Sequence, residues 1–168
     1  MAEEYGFSVE VVSSVKNNGS RISTTQVRNA LQKGDLDTAN DLLGRSYCLQ
    51  GRVVHGDQRG RELGFPTANI HLKKLPALAK GIYVVRLHGI GNKPLNGVAS
   101  MGIRPTIADS KFVLEVYLFD FDCDIYGRHV SVEFLKHLRD EKHFSGLDLL
   151  KLQIEQDVLD AQTYFREQ

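Results

Sequence analysis

Gly51-Arg-Val-Val-His-Gly56-Asp-Gln-Arg-Gly60-Arg-Glu-Leu-Gly64-Phe-Pro-Thr67-Ala-Asn69 is the stretch around which the rest of this chain is read. It opens on the apolar pair Val53-Val54 and enters a loop holding Gly56, Gly60 and Gly64 with Arg59 and Arg61. Glycines let a backbone approach a ligand closely. Successive backbone N–H groups in such a loop form a concavity that suits an anion. Arg59 and Arg61 add planar cations matched to phosphate. Pro66 fixes its own φ and holds Phe65 in an extended conformation. Thr67 and Asn69 are two residues apart, so in an extended segment their oxygens point the same way. Hard oxygens beside a phosphate cradle suit a Mg²⁺-nucleotide. The competing reading is a polar surface loop between two strands. The stretch is not a P-loop, because no Gly-Lys-Ser/Thr follows.

The chain has 168 residues, 42% of them hydrophobic and 25% charged, as expected of a globular protein with a real core. The net charge is +0, which argues against a general nucleic-acid binder. Cys48 and Cys123 are far apart, give no metal or disulfide pattern, and fit a reducing cytoplasm. No apolar run approaches a membrane span, and the N-terminus lacks the pattern of a signal peptide.

Residues 7–12 alternate like a strand, and residues 16–20 read as a loop. Ser23-Thr24-Thr25 offers helix caps for a helix over 26–33 that Gly34 ends; Asp35 to Leu43 is a second helix, ended by Gly44. From Tyr47 the texture changes. Short β-rich runs at 47–54, 81–88, 96–103, 112–120 and 129–136 alternate with turn residues, the pattern of an antiparallel sheet closing into a small barrel. Gly89 to Pro94 reads as a hairpin turn, and Gly102 begins a loop running to about Lys111. Ser145 to Asp148 reads as a capping box. Leu147, Leu150, Ile154, Val158 and Ala161 then recur at helical spacing, which predicts a terminal helix packed on the barrel.

Phe112-Val-Leu-Glu115-Val-Tyr-Leu-Phe119 holds one charged residue among seven apolar ones. By parity Glu115 shares a face with Val113, Tyr117 and Phe119. A lone carboxylate on such a face is costly unless paired, hydrated or protonated. It therefore marks either a functional site or an edge position open to water or to an arginine. Asp120-Phe-Asp122-Cys-Asp124 is not an EF-hand loop, because its sixth and twelfth positions are Ile125 and Ser131. It reads instead as a hairpin turn.

The full string from Gly51 to Asn69 closely resembles the signature of the riboflavin kinase module of bacterial bifunctional riboflavin kinase/FAD synthetases. The likeness extends to Tyr126-Gly127 and to Leu138-Arg139-Asp-Glu-Lys-His-Phe144, where Asp140 replaces the usual proline. It implies a mainly β fold, a six-stranded antiparallel Greek-key barrel with a C-terminal helix. It implies transfer of phosphate from ATP to riboflavin, giving ADP and FMN. The resemblance assigns nucleotide contacts to Gly56, Arg59, Gly60, Arg61, Gly64, Phe65 and Pro66, and Mg²⁺ to Thr67 and Asn69. Glu115 corresponds to the proposed general base, which takes the proton of the riboflavin 5′-hydroxyl. Arg104, Thr106, Tyr126, Arg139 and Phe144 fall on the flavin side. Arg21 to Arg28 resembles the Ser-Ser/Thr-Thr-x-x-Arg segment of the family's adenylyltransferase domain, though an ordinary capped helix explains it equally well. Residues 1–44 are accordingly expected to be an α-helical remnant of that Rossmann-like domain, and 45–168 the kinase domain. A partner adenylyltransferase domain normally precedes the kinase, and FAD synthesis is not expected of this chain. No nucleic acid or membrane partner is expected. The rival reading is a non-catalytic flavin or nucleotide sensor on the same barrel. Thr67, Asn69 and Glu115 together argue against it, since a sensor needs no base.

Overall fold

A computed structural model of the chain describes residues 5–6, 8, 10, 13–17, 20–56, 59–105 and 110–168. The elements run β1 (Lys16–Asn17), β2 (Ser20–Arg21), α1 (Thr24–Gln32), α2 (Leu36–Leu43), β3 (Cys48–Val54) and α3 (Arg59–Glu62). They continue with β4 (Thr67–Leu72), β5 (Gly81–His88), β6 (Leu95–Pro105), β7 (Ser110–Leu118), β8 (His129–Arg139) and α4 (Leu147–Arg166). The strand expected over 7–12 falls mostly on residues outside those described.

β3 to β8 form a closed barrel in the order β3-β4-β7-β6-β5-β8. All pairings are antiparallel. β5, β6 and β7 follow one another as hairpins and β8 returns beside β5, which is a Greek key. Closure leaves no edge strand, so every barrel strand has two bonded neighbours. Strand alternation then decides what is inside. Val53, Ile70, Leu114, Val116, Val130, Val132 and Phe134 fill the interior. On β7 Val113, Glu115 and Tyr117, and just beyond it Phe119, face outward and are partly buried.

Four expectations change. Residues 120–124 form no hairpin turn, because β7 and β8 on either side of them are not paired: β7 lies between β4 and β6, and β8 between β5 and β3. Lys16–Asn17 and Ser20–Arg21 pair as a short β1–β2 ladder where a loop was expected. Gly102 to Pro105 extend β6, paired with Val113 to Ser110, where the loop was expected to have begun. The sheet bonds continue because nothing before Pro105 removes a donor. The capping box at Ser145 does not form. Gly146 is the N-cap of α4 and no side chain caps it.

At the N-terminal side local chemistry and structure agree. Ser23 and Gln26 make a reciprocal capping box on α1. Asp35 caps α2 by accepting from the Thr38 N–H, which with the Thr38 hydroxyl holds its carboxyl below the usual carboxylate range. Gly34 (φ +73) and Gly44 (φ +66) end the two helices in the left-handed region. These helices do not stand apart from the barrel. Ala30, Leu31, Leu36 and Ala39 belong to the same buried cluster as Tyr83, Leu87 and Phe134. The Ala79 N–H donates to the Leu31 carbonyl at 2.9 Å, and the Tyr47 N–H to Asn40 Oδ1 at 2.8 Å. The core therefore runs across residue 45.

At the other end, α4 covers the outer face of β5, β6 and β8. Ala161, Val158, Tyr164 and Phe165 pack there against Val84, Val98 and Leu135. Arg86 sits 5.5 Å from the Phe165 ring.

The shared core makes a prediction. Leu31, 2% exposed, should cost about 2–5 kcal/mol when cut to alanine, the usual range for a buried leucine. Urea unfolding should remain a single transition shifted to lower midpoint. Two separate transitions, with the barrel's unmoved, would show that the helical pair folds by itself.

Candidate functional site

The site is built on β4 and its neighbours. β4 pairs with β7 so that Thr67 faces Tyr117 and Asn69 faces Glu115. β7 pairs with β6 so that Glu115 faces Ser100. Asn69, Glu115 and Ser100 thus form one row across three strands on the outer face, with Thr67, Tyr117 and Val98 in the next row. The edge-strand explanation of Glu115 is excluded, because β7 is bonded on both sides.

Two clefts border these rows, the larger over their outer face and the smaller reaching core residues Val53, Val116 and Leu118. The larger, about 620 Å³, is lined by Phe65, Thr67, Ser100, Glu115, Tyr117, Arg139, Phe144 and Asp157 among others. Its floor is largely aromatic and aliphatic, with Phe65 packed edge-on against Tyr117 at 5.4 Å. The smaller, about 330 Å³, is lined by Arg61, Pro66, Thr67, Phe121, Asp122, Asp124 and Tyr126 among others. The Tyr126 ring stacks on His55 at 3.7 Å. Thr67 belongs to both clefts, so the two spaces abut at its side chain.

The glycine loop is built differently from a simple anion cradle. It contains the helical turn α3. The N–H groups of Leu63 and Phe65 donate to the Gly60 carbonyl at 3.2 and 2.7 Å, and that of Gly64 to Arg61 at 3.1 Å. Those amides are spent on the loop itself and are not offered to an anion. Gly56 and Gly60 are needed for packing. A Cβ on Gly56 would strike the Asn69 side-chain amide, and one on Gly60 would strike the Phe65 carbonyl while only touching the Thr67 hydroxyl. The glycines thus let the loop lie on the two residues expected to hold metal.

The expected residues sort as follows. Glu115, Gly60, Phe65, Arg139 and Phe144 line the larger cleft. Arg61 and Pro66 line the smaller. Gly64 (φ +89) forms the turn between them. Tyr126 lies in the smaller cleft, apart from Arg139 and Phe144, with which the resemblance groups it. Arg104 lies near the end of β6, and its side chain and that of Arg59 are outside the described part, as is Thr106. Arg139 is not loose: it forms a bidentate ion pair with Asp157 of α4. Ser100 and Asp157 are site residues that the sequence reading missed. Ser100 becomes visible only once the β6–β7 register is known, and Asp157 was hidden in a helix read as packing. Among the described residues no group of three or more His, Cys, Asp or Glu could hold a metal. Thr67 and Asn69 supply neutral oxygens, a set that fits Mg²⁺ only if an anionic ligand completes it.

A closed six-stranded antiparallel barrel carrying two clefts that share Thr67 defines the class of the protein. Residues 43–165 match the family described as Flavokinase: Riboflavin kinase, and the chain belongs to that family. It is 47% identical over 162 residues to the bifunctional riboflavin kinase/FMN adenylyltransferase of Escherichia coli K12, covering 96% of this chain and 52% of the relative. It is 46% identical over 164 residues to the protein of the same description from Haemophilus influenzae, covering 98% and 53%. The chain thus spans about half the length of the curated relatives it matches. A crystal structure described as a macrolide-efflux protein from Streptococcus pneumoniae superposes with a TM-score of 0.78 at 36% identity, covering 92% of this chain and 51% of that one. Among the described residues no helix is long and apolar enough to cross a membrane.

The packing of Asn69 on Gly56 can be tested directly. Gly56→Ala should cost about 1–3 kcal/mol by overpacking. Adding Asn69→Ala should recover most of that loss, because the clash partner is gone. A double-mutant cycle with no coupling between the two positions would refute the contact.

Proposed function

We propose that this chain transfers the γ-phosphate of ATP to the 5′-hydroxyl of riboflavin, giving ADP and FMN. The observation that carries the reading is the meeting of two unlike clefts at Thr67, with Glu115 in the larger. The larger, aromatic-lined cleft takes riboflavin. The smaller takes ATP, with Arg61 beside its phosphates. Tyr126 and its His55 stack then wall the nucleotide rather than the flavin.

Phosphoryl transfer asks a protein mainly for alignment and charge stabilisation. Glu115 stands in the larger cleft, where it takes the hydroxyl proton as the oxygen attacks. Thr67 and Asn69 would hold Mg²⁺ together with the ATP phosphates, which supply the negative charge the two side chains lack. When bound, that ion neutralises charge on the transferring group. Arg61 stabilises the same charge from the protein side.

The reading covers the kinase reaction alone, since the family match is confined to residues 43–165. The relatives' second activity, and any domain that supplies it, lies outside the reading. Cys48 and Cys123 are both unbridged, in keeping with a reducing cytoplasm. A flavin or nucleotide sensor on the same barrel remains the alternative.

Chromatography of riboflavin, FMN and FAD after incubation with Mg-ATP should show FMN and no FAD. Folded protein that forms no FMN favours the sensor. FAD formation by host-free protein would overturn the assignment.

Glu115→Gln should lower kcat by about 10²–10⁴-fold, the usual worth of a general base. Riboflavin and ATP should still bind, because the amide fills the same volume. A kcat within about threefold of wild type would remove Glu115 from the chemistry.

Thr67→Ala should raise the Mg²⁺ concentration needed for half-maximal rate, since one hard oxygen is lost. An unchanged Mg²⁺ titration would take Thr67 out of the metal site.

A further inference from the structure

Asp157 is the one charged residue buried among the described residues, 4% exposed, and it lies on α4 in the wall of the larger cleft. Its Oδ1 accepts from Arg139 Nε at 2.7 Å and its Oδ2 from Arg139 Nη2 at 2.6 Å. Gln153, one helical turn earlier, donates to Oδ1 at 3.0 Å. The Arg139 Nη1 donates to the Asp140 carbonyl at 2.9 Å. The guanidinium carbon sits 6.0 Å from the centre of the Phe144 ring. Arg139 and Phe144 both line the cleft.

A buried ion pair is a poor source of stability, because apolar side chains of the same volume often do as well or better. What a bidentate pair supplies is orientation. Here the guanidinium is fixed in its plane by bonds to Asp157 and Asp140, and Phe144 lies against it. Arginine carries five N–H donors. Among the described residues three are engaged, which leaves two on nitrogens whose direction Asp157 sets. Asp157 also offsets the arginine's own charge in the cleft wall.

We propose that Asp157 is a positioning residue for the phosphoryl acceptor: by holding Arg139, and through it Phe144, it fixes the wall against which the flavin ring system binds. This rests on the reading that the larger cleft takes riboflavin. α4 is then part of the acceptor site and not only a cover for the barrel, and Gln153 supports the same carboxylate.

The test compares riboflavin affinity, read by flavin fluorescence, with ADP affinity, read by calorimetry, in the full chain. Asp157→Asn should weaken riboflavin binding about tenfold, the worth of one misaligned charge-assisted contact, while ADP affinity stays within about twofold. Because Asp157→Asn leaves a buried cation unpaired, a second variant separates stability from positioning. Arg139→Met with Asp157→Leu should restore the wild-type melting temperature and still bind riboflavin weakly. Gln153→Leu, which leaves the ion pair in place, should weaken riboflavin about two- to threefold without a loss of fold. If the double variant regains both stability and wild-type riboflavin affinity, the pair is structural and the proposal fails. A parallel loss of ADP affinity in these variants would also overturn it. Wild-type protein that binds ADP but no riboflavin would defeat the cleft assignment and this inference together. Riboflavin binding that Asp157→Asn and Gln153→Leu leave unchanged would defeat the inference alone.

Discussion

The two-sided pairing of β4 is the constraint on which both barrel and site depend. Its residues bond β3 on one edge and β7 on the other. The same hydrogen bonds that close the ring set Asn69 opposite Glu115 and Thr67 opposite Tyr117. Side chains alternate with a period of two, so a slip of one residue would turn Ile70 outward and send Thr67 and Asn69 into the core. Burying both polar groups and exposing isoleucine would be costly, so the interior fixes the register and the register fixes the site. Chemistry placed on sheet positions in this way is held more rigidly than chemistry placed on a loop.

Much of this was legible in the residues, and the illegible parts share a cause. Ser23, Gly34, Asp35 and Gly44 mark helix ends by bonds within one turn, so the sequence carries the whole interaction. The β-rich runs announce strands because alternation is local. The strand β4 follows the same pattern, with Thr67, Asn69 and His71 alternating with the core-facing Ala68, Ile70 and Leu72, but it lies inside the string read for its ligand chemistry and so is missing from the β-rich runs. Which side of β7 faces inward is a global matter, since apolar residues stand on both faces and α4 covers part of the outer one. Composition presents the glycine loop as a ligand cradle without saying that the amides of residues 63–65 donate within it. Its bonds to Gly60 and Arg61 and its packing on Asn69 appear only in three dimensions.

Ser145 and Asp157 illustrate the same limit from opposite sides. Ser145 has the spacing of a cap and does not cap, because the helix begins one residue later. Asp157 sits where a helical stripe meets the barrel, and helical spacing cannot tell a buried partner of Arg139 from an exposed acid. Ion pairs between residues on separate elements are invisible until those elements are placed.

The core that runs across residue 45 also bears on how the chain is made. α1 and α2 leave the ribosome first, with Leu31, Leu36 and Ala39 unburied. Their partners Tyr83, Leu87 and Phe134 follow some dozens of residues later. The ring itself closes only when β8 reaches β3, so the joint is of long range and the last to be sealed. Until then the early helices show an apolar face to solvent, the kind of surface that chaperones hold and that aggregates when left alone. A division of the gene at residue 45 would make that transient exposure permanent, whereas one placed ahead of Ile22 would keep the helices with the barrel that covers them.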